Sequence, residues 1–357
     1  MIVLGSTGSI GKNALCLAND FNLAITALAC KQNYKLLNEQ IKKFKPKLVY
    51  IANSKLKEKV NHSRIFCGDI KEFLQACASE CEASKTTLIN AFVGFAGLMP
   101  SKIAQDLGFK LALANKESLV AGGNFLNCDE IMPIDSEHFG LKFLLQKTLS
   151  NPNKLIITAS GGVCRKLKTK QISKLKLKQA LCHPNWKMGA KITIDSSTMV
   201  NKLFEILEAF WLYKISDIDA IIEHTSSIHA IVQFCDGSSS AHFSNQDMKL
   251  AIAHALGIKA RILDDFNFLQ AKLSFEEISL KKYPVFVLKN ELLKNPKLGV
   301  IINAINDEMV TKYLNKDCEF DDISKNILKT YEKFCNASIS SFDDVLELNN
   351  KVRNFLK

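Results

Sequence analysis

No apolar run in this chain approaches the ~18 consecutive residues that a membrane-spanning helix needs, which excludes a helical membrane protein. The opening Met1-Ile2-Val3-Leu4-Gly5 lacks the charged start and long apolar core of a secretory leader, so the expected compartment is the cytoplasm. Cys-x-x-Cys pairs are missing as well. The 11 cysteines are an odd number and scattered, and only Cys77 and Cys81 stand close together, at a spacing poorly suited to zinc. Most of them read as reduced core thiols. Arginine is scarce while lysine is plentiful and spread along the whole chain. The formal charge of +11 suits nucleic acid or small phosphorylated anions, but surfaces that read bases favour arginine, and the even spread of lysines also fits a merely basic proteome. Internal repeats and low-complexity segments are absent too. What remains is ordinary in composition, with 357 residues, 47% hydrophobic and 23% charged. That length predicts two or three domains with a substantial core and excludes a peptide hormone or a lone binding module.

Residues 1–115 alternate short β-rich runs with helical stretches. The runs are Ile2 to Leu4, Ala24 to Cys30, Lys47 to Ile51, Leu88 to Phe92 and Lys110 to Ala114, and Tyr34 to Phe44 carries apolar residues at helical spacing. This βαβ rhythm predicts an α/β fold opening on a doubly wound, Rossmann-like parallel sheet. From about Ile131 to Ala260 the pattern changes to strands over Leu155 to Thr158, Ile192 to Ile194 and Ile228 to Phe234, between polar segments rich in Gly, Ser and His. A mixed α/β catalytic domain is expected there. The tail has an apolar stripe at Ile327, Leu328, Tyr331, Phe334 and Cys335, then a capping-box-like start at Ser341-Phe342-Asp343-Asp344, which predicts a helical bundle. The expected boundaries are 1–134, 135–260, a linker over 261–285, and 286–357.

Three segments carry chemistry. Gly5-Ser6-Thr7-Gly8-Ser9-Ile10-Gly11 follows the first strand, where glycines allow a tight turn and let the next helix aim its N–H groups at a pyrophosphate. The second strand ends Ala29-Cys30-Lys31-Gln32-Asn33, without the acid that grips the ribose hydroxyls of NAD; a cation there suits a 2′-phosphate and so favours NADPH over NADH. In Pro133-Ile134-Asp135-Ser136-Glu137-His138-Phe139, an extended backbone would point Asp135 and Glu137 the same way, toward one hard cation, with Lys116-Glu117 a short distance upstream. The third segment runs from His183-Pro184-Asn185-Trp186 through Lys187-Met188-Gly189 to Asp195-Ser196-Ser197-Thr198, Asn201-Lys202 and Glu205. Its hydroxyls, amides and lysine suit a phosphate, as does Ser160-Gly161-Gly162 after the Leu155 to Thr158 strand. Trp186, on a stretch too polar for a core and punctuated by Pro184 and Gly189, reads as a closing lid over 183–189.

In G-S-T-G-S-I-G, A-N-K-E-S-L, P-I-D-S-E-H, S-G-G and H-P-N-W-K-M-G-x-K-I-T-I-D-S-S-T-M-x-N-K, in order and over essentially the whole chain, the sequence resembles the 1-deoxy-D-xylulose 5-phosphate reductoisomerase family. The resemblance implies a homodimeric enzyme that isomerises and reduces that phosphorylated sugar to 2-C-methyl-D-erythritol 4-phosphate in the non-mevalonate isoprenoid pathway. It implies NADPH and Mg²⁺ or Mn²⁺ as cofactors, with Co²⁺ a further option, and neither a nucleic-acid nor a membrane partner. Carried over position by position, Asp135, Glu137 and Glu205 would hold the metal, and Lys116, Glu137 and His183 would be catalytic. Substrate contacts would come from Lys116, Ser136, Glu137, Ser160, His183, Trp186, Ser196, Asn201, Lys202 and Glu205, of which Ser160, Ser196, Asn201 and Lys202 take the phosphate. Cofactor contacts would come from Thr7, Gly8, Ser9, Ile10, Lys31, Gln32, Asn33, Asn115, Glu117 and Gly189.

The chain departs from the family's usual pattern at several points. It reads Lys31-Gln32-Asn33 where the family has Gly-Lys-Asn, so the 2′-phosphate falls to Lys31, or to Gln32 and Asn33. His224-Thr225-Ser226-Ser227 replaces His-Pro-Gln-Ser, and Gly161-Gly162-Val163-Cys164 replaces Gly-Gly-Pro-Phe. Two rivals remain: an NADP-linked reductase of another phosphorylated carbonyl compound, and a basic nucleic-acid-binding protein. The basic run from Arg165 to Lys178 contains no acid, but it lacks the interleaved aromatics that stack bases and reads as a solvated face that steers anions.

Overall fold

The structure, a computed structural model, describes residues 1–186 and 188–357. The chain forms two compact units: residues 1–118, 126–135 and 247–263 make the first, and residues 119–125, 136–246 and 264–357 the second.

In the first unit, strands β1 (Ile2–Leu4), β2 (Ala27–Cys30), β3 (Leu48–Ile51), β4 (Ile65–Phe66), β5 (Thr87–Asn90), β6 (Lys110–Leu113) and β7 (Met132–Pro133) form one sheet in the order β4-β3-β2-β1-β5-β6-β7. Every pairing is parallel. Parallel strands need crossovers that cover both faces, which is why their sequences are apolar runs without alternation. Leu15, Leu28, Leu37, Ile41 and Val49 fill one side of the sheet; Ala14, Leu17, Ile89, Ala112 and Ile134 fill the other with Ile252 and Ala253. Helix Lys249–Ala255, far along the chain, thus belongs to this unit. The order reverses at β1, flanked by β2 and β5, and an open α/β sheet places its ligand crevice at the carboxyl end of such a strand. The Gly5–Gly11 turn lies there. Gly5 has φ +83°, and a Cβ on it would stand 2.4 Å from the Ala91 carbonyl oxygen; one on Gly11 would stand 2.3 Å from the Gly5 oxygen. Only glycine lets β1, the turn and helix Ser9–Asp20 pack this closely.

The second unit holds β8 (Pro152–Ala159), β9 (Ile218–Glu223), β10 (Ile228–Phe234), β11 (Ser239–Phe243) and β12 (Phe275–Glu276) in the order β11-β10-β8-β9-β12, with only β8 and β9 parallel. Helix Ser136–Leu145 packs on β10 and β11, and helix Val200–Tyr213 on β8 and β9. Helices Gly299–Asn315, Phe320–Phe334 and Phe342–Leu356 pack as the expected helical region, and the last opens with the Ser341–Asp344 capping box. Among the described residues no helix is long and apolar enough to cross a membrane.

Two local expectations are corrected. Ile192 to Ile194 is not a strand but part of helix Ala190–Thr198. A three-residue apolar-polar-apolar run fits either period, and burial decides: Thr193, Ile194, Ser197 and Thr198 all face inward, at helical spacing. Thr193 and Ser197 also donate their hydroxyls to carbonyls four residues back, at 2.9 and 3.0 Å. The 133–139 segment is not extended throughout either. Ser136 starts a helix, so Glu137 sits in a first helical turn while Asp135 precedes it, and simple i, i+2 alternation does not relate the two carboxylates.

Candidate active site

The first unit presents an anion-ready helix end. Helix Ser9–Asp20 starts at Gly8 with no side-chain cap and no acid in its first turn, Gly8 and Ser9 are exposed, and Thr7 and Ile10 are half-buried. Uncapped N–H groups and the helix dipole favour a phosphate there. Ser6 instead turns inward, exchanging two 2.8 Å hydrogen bonds with Gln40. Lys31, Gln32 and Asn33 are all exposed after β2, but the Asn33 side chain accepts a 3.2 Å hydrogen bond from the Leu36 N–H and caps helix Tyr34–Phe44. Lys31 supplies the cation of the three.

Beyond β6, Asn115 is buried and its amide donates to the Phe92 and Gly94 carbonyls, both at 2.9 Å, and to Glu117 at 3.0 Å. Glu117 in turn accepts from the Gly94 N–H at 3.2 Å. These two side chains thus brace the 92–97 loop. Lys116 between them points elsewhere, its Nζ 2.8 Å from Asp135 Oδ2.

Asp135 is the residue at which the chain passes into the second unit. Asp135, Glu137 and Glu205 each offer a carboxylate oxygen, all within 4.8 Å of one another. Three hard oxygen donors at that spacing fit Mg²⁺ or Mn²⁺. Two lysines offset the mutual repulsion: Lys116 at Asp135, and Lys202 with its Nζ 2.9 Å from Glu137 Oε1 and against Glu205. Burial by itself would pull the Lys202 pKa down, but Glu137 and Glu205 outweigh it and hold the ammonium above its ordinary value. Ser136 donates to Glu137 at 2.6 Å, and Asn201 donates to Glu205. The helices carrying these acids are tied by a fully buried pair that the sequence reading passed over, His138 Nε2 to Glu208 Oε2 at 3.1 Å. Glu208 lies one turn beyond Glu205, the one signal that could have pointed to it.

Ser160-Gly161-Gly162 leaves β8 with positive φ at both glycines, +79° and +54°. A Cβ on Gly162 would stand 2.8 Å from Ser197 Cα and 3.0 Å from the Ser196 carbonyl, so the glycine lets this loop lie directly on the end of helix Ala190–Thr198. The loop that carries Ser160 thus lies against the backbone of Ser196 and Ser197. Asn201 and Lys202, grouped with them from the sequence, direct their side-chain nitrogens at the carboxylates. Of the 183–189 segment, Lys187 lies outside the described residues, and Gly189 forms the N-cap of helix Ala190–Thr198. Half-buried Trp186 meets His229 edge-to-face, centroids 6.3 Å apart.

His183 is held in one tautomer. Its Nδ1 accepts the backbone N–H groups of Asn185 (3.1 Å) and Trp186 (2.9 Å), so the proton sits on Nε2, 3.0 Å from Ser160 Oγ. Burial, then the nearby Arg165 charge, lower its pKa from 6.5 to about 4. The unfolded chain therefore takes up this proton at higher pH than the folded one. The contribution to stability is full above pH 6.5 and is lost as pH falls toward about 4. We expect the His183 ring signals to titrate near pH 4 by NMR, and kcat/KM to show no His183 step near neutrality; a ring midpoint near 6.5 would contradict this.

A doubly wound sheet with a phosphate-ready first turn, together with a three-carboxylate cluster and a Ser-Gly-Gly anion loop, defines the class of nucleotide-dependent, metal-assisted α/β enzymes acting on phosphorylated compounds. Family models described as 1-deoxy-D-xylulose 5-phosphate reductoisomerase match residues 1–123, its C-terminal domain matches 131–213, and a further DXP reductoisomerase C-terminal domain matches 243–355. The chain is 56% identical over 361 residues to the Campylobacter fetus 1-deoxy-D-xylulose 5-phosphate reductoisomerase, covering 100% of this chain and 99% of that one. It is 52% identical to that of Campylobacter jejuni strain RM1221, covering 100% of both. A solved DOX-P reductoisomerase in complex with NADPH, fosmidomycin and magnesium superposes with TM-score 0.85 at 29% identity, covering 99% of this chain and 96% of that one. The Zymomonas mobilis enzyme in complex with NADPH gives 0.85 at 30% with the same coverage. The chain belongs to the 1-deoxy-D-xylulose 5-phosphate reductoisomerase family.

Proposed function

We propose that this protein converts 1-deoxy-D-xylulose 5-phosphate to 2-C-methyl-D-erythritol 4-phosphate, rearranging the carbon skeleton and reducing the resulting aldehyde with NADPH. The observation that carries the reading is the convergence of Asp135, Glu137 and Glu205 within 4.8 Å in a chain of this family. A divalent ion held by these carboxylates supplies Lewis acidity to a carbonyl and an adjacent hydroxyl. Lys116 and Lys202 keep the acidic cluster near neutrality and remain donors for substrate oxygens. Ser160 and Ser196, with the neutral Nε2–H of His183, offer uncharged donors to the phosphate. Ser136, which donates to Glu137, contacts the substrate in this reading. Trp186 covers the site as part of a lid over 183–189, supported by the Pro184 and Gly189 punctuation. We further read the protein as a cytoplasmic homodimer; for the dimer, the support is exposed Phe268, which packs on Phe243 of edge strand β11 and leaves an apolar surface there for a second copy.

The test is NADPH oxidation with 1-deoxy-D-xylulose 5-phosphate, with and without Mg²⁺, with the product's carbon skeleton determined. Oxidation without branching would instead indicate a simple reductase, and no metal-dependent oxidation would sink the reading. For the cofactor, NADPH is expected to be used far better than NADH, through Lys31 near the 2′-phosphate. Lys31→Glu should weaken NADPH selectively, by about tenfold, since it sets like charge there. An unchanged NADPH/NADH ratio of kcat/KM in the variant would move the contact to Gln32 or Asn33.

A further inference from the structure

Arg165, the first residue of the basic run that was read as a solvated face, instead sits where three segments of the second unit meet. One nitrogen of its guanidinium donates to the Ser160 carbonyl at 3.4 Å and to the His224 carbonyl at 2.7 Å. The same His224 carbonyl accepts the Asn185 side-chain amide at 2.8 Å, and that amide also reaches Ser226 Oγ at 2.8 Å. The Asn185 backbone N–H donates to His183 Nδ1, and His183 Nε2 returns to Ser160 Oγ. These bonds close a circuit of Ser160, Arg165, His224, Asn185 and His183.

The anchors of the circuit are themselves built in. The fully buried Glu223 carboxylate accepts the Thr225 N–H (2.8 Å), the Thr225 hydroxyl (2.7 Å) and the Ser227 N–H (2.9 Å), which shapes the 224–227 turn without a proline. On the other side, Tyr283 donates its hydroxyl to the Gly161 carbonyl at 2.7 Å and Lys282 its ammonium to the Arg165 carbonyl at 2.8 Å. Both ends of the guanidinium's reach are thus fixed, and the joined element is the 183–186 segment.

We propose that Arg165 and Asn185 are positioning residues: by sharing the His224 carbonyl, they seat the His183–Trp186 segment against the Ser160 loop before substrate arrives. This rests on the reading that Ser160 and His183 take the substrate phosphate. A preseated segment spends less of the phosphate binding energy on ordering the loop, so its loss appears mainly in KM.

Arg165→Met keeps the apolar stem and removes the donors. It should raise KM for 1-deoxy-D-xylulose 5-phosphate by about tenfold with a smaller change in kcat, as expected for losing a charge-assisted hydrogen bond. In the substrate-free protein it should speed hydrogen exchange at the Asn185 and Trp186 amides, leaving NADPH affinity unchanged. Arg165→Lys, whose ammonium can serve both carbonyls, should recover much of the loss. Because the two donors share one acceptor, Arg165→Met with Asn185→Ala should cost less than the product of the single effects. If Arg165→Met does not fold, Asn185→Ala alone is read by exchange at Trp186. Unchanged exchange at these amides in the folded variants, or independent multiplicative effects, would overturn the proposal. Absence of turnover by the wild-type enzyme would instead sink the functional reading, and the exchange measurement, which needs no substrate, would still decide the circuit.

Discussion

Glu205→Gln should lower metal-dependent turnover by about 10²- to 10³-fold, because it removes one of three anionic ligands while keeping the side chain's shape, and a metal's charge stabilisation amounts to several kcal/mol. Glu205 is almost fully buried on helix Val200–Tyr213, beside Lys202 and Asn201, so no water-exposed acid can take its place. NADPH binding, which this reading assigns to the first unit, should survive. Calorimetric titration with Mn²⁺ would show weakened metal affinity, and cofactor fluorescence titration would show unchanged NADPH affinity. Near-normal activity of the variant at low metal would remove Glu205 from the ligand set.

The second large effect is expected from Lys202→Met. The Lys202 side chain is 4% exposed and lies between Glu137 and Glu205. Taking away one partner of a buried ion pair leaves uncompensated charge and costs about 3–5 kcal/mol, whereas the apolar stem of Met fills the same space. The melting temperature should fall and KM for the phosphorylated substrate should rise. A divalent cation can then supply the missing positive charge, so Mg²⁺ should raise the melting temperature of the variant by more than that of the wild type. Equal stabilisation of the two by Mg²⁺, or an unchanged melting temperature, would show that Lys202 does not balance the carboxylates.

Much of the first unit was legible because its signals are local. Each buried strand is a short apolar run, Gly5 and Gly11 stand where backbone meets backbone, and Tyr34–Phe44 appears as a helix with the bounds its periodicity predicts. The Ser341 cap was readable for the same reason, since donor and acceptor lie three residues apart. The carboxylate set was legible only in part: Asp135 and Glu137 were paired within their own segment, on an extended backbone that does not exist where a helix begins at Ser136, and the resemblance alone added Glu205 as the third ligand.

The sequence by itself determined the elements whose reasons lie within a few residues: the parallel-sheet strands, the glycine turn and the helix caps. Tertiary structure alone decided the period adopted by Ile192 to Ile194, where a short run obeys two rules and packing selects one. It also decided the pairings that make the site: Lys202 with Glu137, 65 residues apart, Arg165 with His224, 59 apart, and His138 with Glu208. No periodicity encodes such contacts, because each depends on how two helices, or a helix and a loop, are laid against one sheet by the burial of their apolar faces.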